Sequence, residues 1–195
     1  RVICDVLVRD EAGDVEGLKA ICHRLRKPFP IQFSLDIDTV LPGCDLVVAA
    51  SSSPEYLIYS RHLQPGAVVC DVARPADVAP EVYRERDDVL ILEGGLVQYP
   101  EAVAFGPNLG YRDGVNLACL SETVLLALEG DYRDYSIGTK LPLETLQYFR
   151  ELAHRHGFGL AGLKMGDREL SEDEIIAIYQ RSQQYRQGQS LNDTK

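Results

Sequence analysis

The stretch Asp45-Leu-Val-Val-Ala-Ala-Ser51 decides the fold class, because it is an almost unbroken apolar run that leads directly into small polar residues. A second run of the same kind, Ala67-Val-Val-Cys-Asp71, follows the turn signal Pro65-Gly66. Strands with continuous hydrophobicity are typical of parallel sheets that helices cover on both faces. The two runs therefore predict an α/β domain.

Three further apolar runs flank this pair, at Val2–Val8, Ile31–Leu35 and Asp88–Leu92. Between the first two, Asp14 can cap an amphipathic helix that Pro28 stops. Strands that alternate with helices in this way predict a partial doubly wound parallel sheet of Rossmann-like type.

The first strand and the glycine-rich loop of a dinucleotide-binding sheet are absent from this pattern. The one formal match to G-x-G-x-x-G, Gly157–Gly162, follows a predicted helix, whereas phosphate binding requires a preceding strand. We interpret it as a helix cap that leads into a strand.

The remainder of the chain is predicted to be helical. One helix starts at Asp113 or Asn116 and runs to Leu128, a second covers Leu143 to His156, and a third covers Glu172–Arg186 before a polar tail. The predicted domains are an incomplete NADP-binding domain over 1–112, a helical catalytic or substrate region over 113–170, and a charged helix and tail over 171–195.

Composition excludes several classes of protein. The 195 residues are 45% hydrophobic and 26% charged, which is typical of a globular chain. The formal charge of −10 argues against nucleic-acid and anionic-membrane partners. No apolar run approaches the roughly 18 residues of a membrane span, and we expect no secretory signal, because Arg1 opens directly onto a short alternating stretch. The sequence opens on Arg1 without an initiator Met, so we expect a piece of a longer chain.

The 5 cysteines show neither C-x-x-C spacing nor a cluster with histidines. The sequence therefore predicts no metal site. A reducing, cytoplasmic compartment is the expected location.

Arg9 is a candidate for cofactor binding, because it follows the first predicted strand. An arginine at that position suits the 2′-phosphate of NADP. An ordinary exposed loop residue is the alternative.

Two loops at the carboxyl ends of predicted strands are further candidates for cofactor binding. Ser51 and Ser52 follow one strand, and Gly94 and Gly95 follow another. Open α/β sheets bind ligands at this edge, where small residues allow close approach. A common loop and a plain turn explain the same residues.

Cys119 is the candidate nucleophile, because it falls in the first or second turn of its predicted helix. The helix N-terminus favours the thiolate. Pattern alone favours packing of this cysteine in an apolar core. His156 ends the next helix, where it is a candidate general acid or a cation that complements the helix dipole.

From about Val2 to Leu163 the chain resembles the C-terminal half of cyanobacterial long-chain fatty acyl-ACP reductase, which forms aldehydes, and relatives labelled predicted amino-acid dehydrogenases. The stretches that carry the resemblance are Asp45-Leu-Val-Val-Ala-Ala-Ser, Asp71 with Pro75, Val89-Leu-Ile-Leu-Glu-Gly-Gly-Leu-Val97, Ala118-Cys119 with Glu122 and Leu125-Leu126, Glu129-Gly130, Ser136 with Gly138, and Arg155-His156-Gly157-Phe158.

This resemblance implies an oxidoreductase of lipid metabolism. Cys119 would take an acyl group from acyl carrier protein or acyl-CoA as a thioester, and NADPH would reduce it to a fatty aldehyde. Glu122 either orients groups near the thiol or faces solvent, and His156 and Arg9 match family positions. Because the opening of the nucleotide domain is missing, we expect this chain to be inactive alone.

Two other functions remain open. One is an NAD(P)-dependent dehydrogenase of a small amino or hydroxy acid, since a fold does not fix a reaction. The other is a non-catalytic remnant that binds a partner through Tyr132, Tyr135 and Tyr148.

Overall fold

The computed structural model describes residues 4–7, 31–34, 36–106, 110–137 and 141–192. The chain divides into two compact units. The first unit comprises Arg1–Leu92 and Leu170–Lys195, and the second unit comprises Glu93–Glu169.

Among the described residues, the elements are short apart from three helices. The strands are β1 (Cys4–Leu7), β2 (Ile31–Ser34), β3 (Leu46–Ala49), β4 (Val68–Asp71), β5 (Leu90–Glu93), β6 (Leu96–Gln98), β7 (Val115–Leu117), β8 (Gly159–Leu160), β9 (Lys164–Met165) and β10 (Arg168–Glu169). The α-helices are α1 (Ile37–Val40), α2 (Val82–Glu85), α3 (Ala118–Glu129), α4 (Leu143–Arg155) and α5 (Glu172–Asn192). Single 3-10 turns lie at Leu41–Gly43 and Ser60–His62.

The first unit contains the predicted parallel sheet. β3, β4 and β5 lie side by side in that order, and β1 pairs in parallel with β2 in a separate two-stranded sheet. Val47, Val69 and Ile91 are buried on one face of the three-stranded sheet. The expected α/β class, a partial Rossmann-like sheet with a helical C-terminal region, is confirmed.

The second unit is built on a small antiparallel sheet that the sequence analysis did not predict. β6 lies between β7 and β8 and is antiparallel to both. α3 begins at Ala118, later than predicted, because the three residues before it pair with β6. A core of Tyr99, Leu125, Leu152 and Phe158 joins the sheet to α3 and α4.

Glycines end α3 and α4, whereas α5 extends farther than predicted. α3 ends at Gly130, which has a φ of 66°, and α4 closes on the turn at Gly157, which has a φ of 72°. Both glycines adopt the left-handed conformation that terminates helices. α5 runs through Gly188 to Asn192, farther than the predicted helix. In the described ranges, each helix is either too short or too polar for a membrane span.

Candidate functional site

Three polar side chains of the second unit meet at the end of β5. The Glu93 cluster consists of Glu93, Tyr111 and Lys164. The Tyr111 hydroxyl donates to Glu93 Oε1 over 2.6 Å, and Lys164 Nζ donates to Glu93 Oε2 over 2.7 Å. The same ammonium lies 5.0 Å from the centroid of the Tyr111 ring. One carboxylate thus holds a phenol and an ammonium side by side.

The Glu93 cluster is sheltered from water. The Lys164 side chain is 15% exposed and that of Glu93 is 21% exposed. Lys164 is positioned by the β9–β10 hairpin, in which it pairs with Glu169 across a turn at Gly166. Opposite charges in contact at this depth favour a fixed geometry more than a surface ion pair does.

The Lys164 ammonium keeps unused hydrogen-bonding capacity. An ammonium has three N–H donors, and Glu93 is its hydrogen-bond acceptor in the part of the chain that the structure describes. Two N–H groups therefore remain for a ligand. The formal charge of the Lys164–Glu93 pair, one ammonium and one carboxylate, sums to zero.

Gly94 and Gly95 form the turn from β5 to β6, directly beside the Glu93 cluster in sequence. Gly95 has a φ of 73°, which explains the glycine without a ligand. Its carbonyl accepts a hydrogen bond of 2.8 Å from the backbone N–H of Ala118. This contact joins the turn to the first residue of α3.

Cys119 is exposed in the first turn of α3. Glu122 lies one turn farther along the helix, so the two side chains share a face. The Ser136 hydroxyl donates to Glu122 Oε1 over 2.5 Å. Ser136 thereby holds the loop after α3 against this half of the helix.

His156 lies at the opposite end of α3. Its Nε2 is 2.7 Å from Glu129 Oε1, and Arg155 donates to both oxygens of the same carboxylate. The hydrogen bond from His156 and then that from Arg155 lower the pKa of Glu129 below its usual value. Because Glu129 follows Cys119 by ten residues of helix, about 15 Å separate them along the axis. The structure does not bring the Cys119 thiol and the His156 imidazole together.

Ser51 and Ser52, two of the predicted cofactor residues, follow the carboxyl end of β3, and Ser51 is already engaged in hydrogen bonds. The Ser51 hydroxyl donates to Asp77 Oδ1 over 2.5 Å, and its backbone N–H donates to Oδ2 over 3.2 Å. Asp71, in turn, accepts hydrogen bonds from the backbone N–H groups of Ala73, Asp77 and Val78. Ser52 is exposed. Arg9 lies outside the described residues.

Sequence analysis missed both Tyr111 and Lys164. Lys164 and Glu93 are 71 positions apart, and no short-range pattern connects them. One signal was available, because Glu93 is the charged end of an apolar strand, where buried ionic groups require a partner.

Comparison with known proteins points to a different class of enzyme from the predicted one. A search against models of protein families found no match. The chain is 37% identical over 151 residues to the protein named Aminotransferase PigE of Serratia sp. (strain ATCC 39006). The match covers 76% of this chain and 18% of that relative, so the chain spans less than a fifth of the relative's length.

This match corrects the functional expectation. An acyl-ACP reductase that forms fatty aldehydes is wrong, and so are the thioester reduction and the NADPH cofactor that depended on it. The quoted stretches are strand ends, glycine turns and a helix cap, which the fold itself requires and which do not specify a reaction. The expectation of an enzyme agrees with the relative's name, which is that of a transferase and not of an oxidoreductase.

Proposed function

We propose that this chain forms a substrate-binding region of an enzyme that, like its PigE relative, works in amino-group transfer. Its role is to hold the carbonyl oxygen of the amino-group acceptor at the Lys164 ammonium. The observation that carries the proposal is the sheltered ammonium of Lys164, which Glu93 fixes over 2.7 Å while two N–H groups remain available.

The charge of the site favours a neutral ligand. Glu93 cancels the charge of Lys164, so a carboxylate ligand would gain little net attraction and would approach a second carboxylate closely. A carbonyl oxygen accepts the same hydrogen bonds without that repulsion. Amino-group transfer consumes an aldehyde or a ketone, and such groups match this site.

Pyridoxal phosphate, the cofactor that the word aminotransferase implies, does not fit the Glu93 cluster. That cofactor is held at one end of its ring by a lysine and at the other end by a partner of the pyridine nitrogen. Glu93 instead contacts the lysine nitrogen itself, and its second oxygen is occupied by Tyr111. Lys164 is the one lysine among the described residues. We therefore assign no cofactor step to this site.

A chimeric enzyme tests the proposal. The matched segment of the Serratia PigE protein is replaced by that of this chain, and initial rates are measured against varied concentrations of the carbonyl acceptor. We expect the chimera to transfer amino groups. Lys164→Met should raise the KM for the acceptor about tenfold, because it removes one charge-assisted hydrogen bond of about 1.4 kcal/mol. Lys164→Arg should retain part of the affinity.

Two results would contradict the proposal. A folded, soluble chimera without transferase activity would show that the segment has another role. An unchanged KM in the Lys164→Met chimera would exclude the ammonium as the carbonyl donor. Arg150→Met is the matched control, because Arg150 is an exposed cation of α4 outside the Glu93 cluster.

A further inference from the structure

We infer that the open edge of β3 is an interaction surface for a further parallel β-strand, which the remainder of a longer enzyme of the PigE kind supplies. This surface, the β3 edge, consists of the peptide groups and side chains of Leu46 and Val48. The inference goes beyond the proposed function, because it concerns the parallel sheet of the first unit and not the Glu93 cluster.

The outer peptide groups of β3 have no partner among the described residues. β3 is the first strand in the order β3-β4-β5. The carbonyl groups of Asp45 and Ala49 accept hydrogen bonds from Val68 of β4 and from the residue after β4, respectively. Alternate residues of a strand direct their peptide groups to opposite sides, so those of Leu46 and Val48 point away from β4. The β3 edge thus presents donors and acceptors in the spacing that another strand requires.

The side chains at the β3 edge are apolar and exposed. Leu46 is 65% exposed and Val48 is 66% exposed, whereas Val47 and Ala49, on the opposite face, are 8% and 7% exposed. Strands of parallel sheets are normally covered on both faces, and an open apolar edge is a template for pairing with another chain segment. The β3 edge therefore suits an extended segment with apolar side chains and does not suit a polar small molecule.

The pairing of the described strands indicates which strand would lie there. In the doubly wound order 3-2-1-4-5-6, strands 2 and 3 are neighbours, and strands 4, 5 and 6 lie side by side. β1 and β2 pair in parallel like the former, and β3, β4 and β5 follow one another like the latter. Strand 1 has no counterpart among the described residues. Its neighbour in this order is strand 4, which corresponds to β3.

The same order accounts for the exposed face of β3. Connections between parallel strands are right-handed, so a helix normally follows strand 1 and packs on one face of the sheet. The face of Val47 and Ala49 is already buried. The helix after the added strand is left with the other face, where it would cover Leu46 and Val48.

A second copy of the chain fits the β3 edge less well than a strand from outside residues 1–195. Two copies related by a two-fold axis would pair their edges antiparallel, whereas β3 pairs in parallel with β4. Each copy has a formal charge of −10, which opposes self-association. The matched segment is only 18% of the PigE relative, so a protein of that kind has ample further chain to supply one strand and one helix.

A binding experiment with a defined probe tests the inference. The probe is the stretch of about 40 residues that directly precedes the matched segment in the Serratia PigE protein, long enough for one strand and one helix, fused to a soluble carrier. Titration calorimetry measures its binding to the purified chain, and the carrier alone is the blank. Hydrogen exchange followed by NMR should show the amides of Leu46 and Val48 exchanging at least tenfold more slowly in the complex, while amides of the second unit are unchanged.

Two edge variants separate pairing at β3 from the integrity of the sheet. Val48→Pro removes an N–H that points away from β4, a position at which an edge strand tolerates proline, and should abolish binding of the probe. Leu46→Lys keeps every backbone group and places a charge where the added unit would pack, so it should weaken binding about tenfold. Leu128→Lys is the matched control, because Leu128 is a 56% exposed residue of α3, and it should bind like the unchanged chain. Circular dichroism establishes that each variant is folded.

Three results would overturn the inference. The first is a folded chain that does not bind the fusion. The second is binding that folded Val48→Pro or folded Leu46→Lys retains in full. The third is a dimer of the chain, measured by analytical ultracentrifugation, that Leu46→Lys dissociates and Leu128→Lys does not, because a second copy would then occupy the β3 edge.

Discussion

Replacing Tyr99 with Phe should stabilise the protein. Tyr99 is 5% exposed, and its ring packs 4.9 Å from that of Phe105 and 4.4 Å from that of Phe158, measured between centroids. Its hydroxyl is buried and has no hydrogen-bond partner among the described residues. The Tyr99 side chain thus contributes its ring to the core, together with a hydroxyl group that forms no hydrogen bond with the described residues.

The size of the effect follows from that one atom. A buried hydroxyl without a partner costs about 1–3 kcal/mol relative to its hydrated state. Removing it leaves the ring contacts in place, and the small gap left by one oxygen offsets part of the gain. We therefore expect Tyr99→Phe to raise the free energy of unfolding by about 1 kcal/mol.

Urea unfolding followed by circular dichroism measures this change. The midpoint should rise while the m-value stays constant, because the surface exposed on unfolding is the same. Tyr135→Phe is the matched control, since its hydroxyl donates to Asp131 over 2.5 Å, and we expect that variant to lose stability. A loss of about 1 kcal/mol or more in Tyr99→Phe would show that the hydroxyl is bonded and would refute the reasoning.

Two further predictions concern the second unit. The hydrogen bond to Asp131, with burial as a second cause, raises the pKa of Tyr135 to about 12. The stabilisation that this hydrogen bond gives the folded state is therefore present below the ordinary tyrosine pKa. It is lost as the pH rises through about 12. An NMR titration that follows the ring carbon bearing the Tyr135 hydroxyl should show this pKa. Asp131→Ala should return the pKa toward its usual value. Equal titration curves in the two proteins would contradict the assignment. Gly114→Ala should lower the unfolding midpoint, because Gly114 has a φ of 77° and a Cβ there would lie 2.8 Å from the Glu101 carbonyl oxygen, whereas Gly43→Ala meets no atom within 4 Å and should be nearly neutral.

The parallel sheet could be predicted from the sequence because β3 is apolar throughout and β4 is apolar up to its last residue, Asp71. α4 could be predicted for a similar reason, since its apolar residues recur at helical spacing and Gly157 terminates it. β6, β7 and β8 have three, three and two residues, which is too short for an alternating pattern to be recognised. Their pairing depends on tertiary contacts that no local pattern reports.

The candidate site was only partly predictable. Gly94 and Gly95 were singled out, and they form the turn from β5 to β6, where the positive φ of Gly95 already accounts for that glycine. Lys164 and Tyr111 reach Glu93 from distant parts of the chain, so only the fold reveals the cluster. The expected reaction was wrong because strand ends and glycine turns record backbone geometry, and many enzymes share it.

The side chain of Asp71, the last residue of β4, fixes the path of the loop that follows the strand. One carboxylate binds three backbone amides of the segment, and amides are common to every residue except proline. An exposed position of the loop such as Ala76 should accordingly tolerate substitution, while loss of the acid at the strand end would remove three hydrogen bonds from the segment at once.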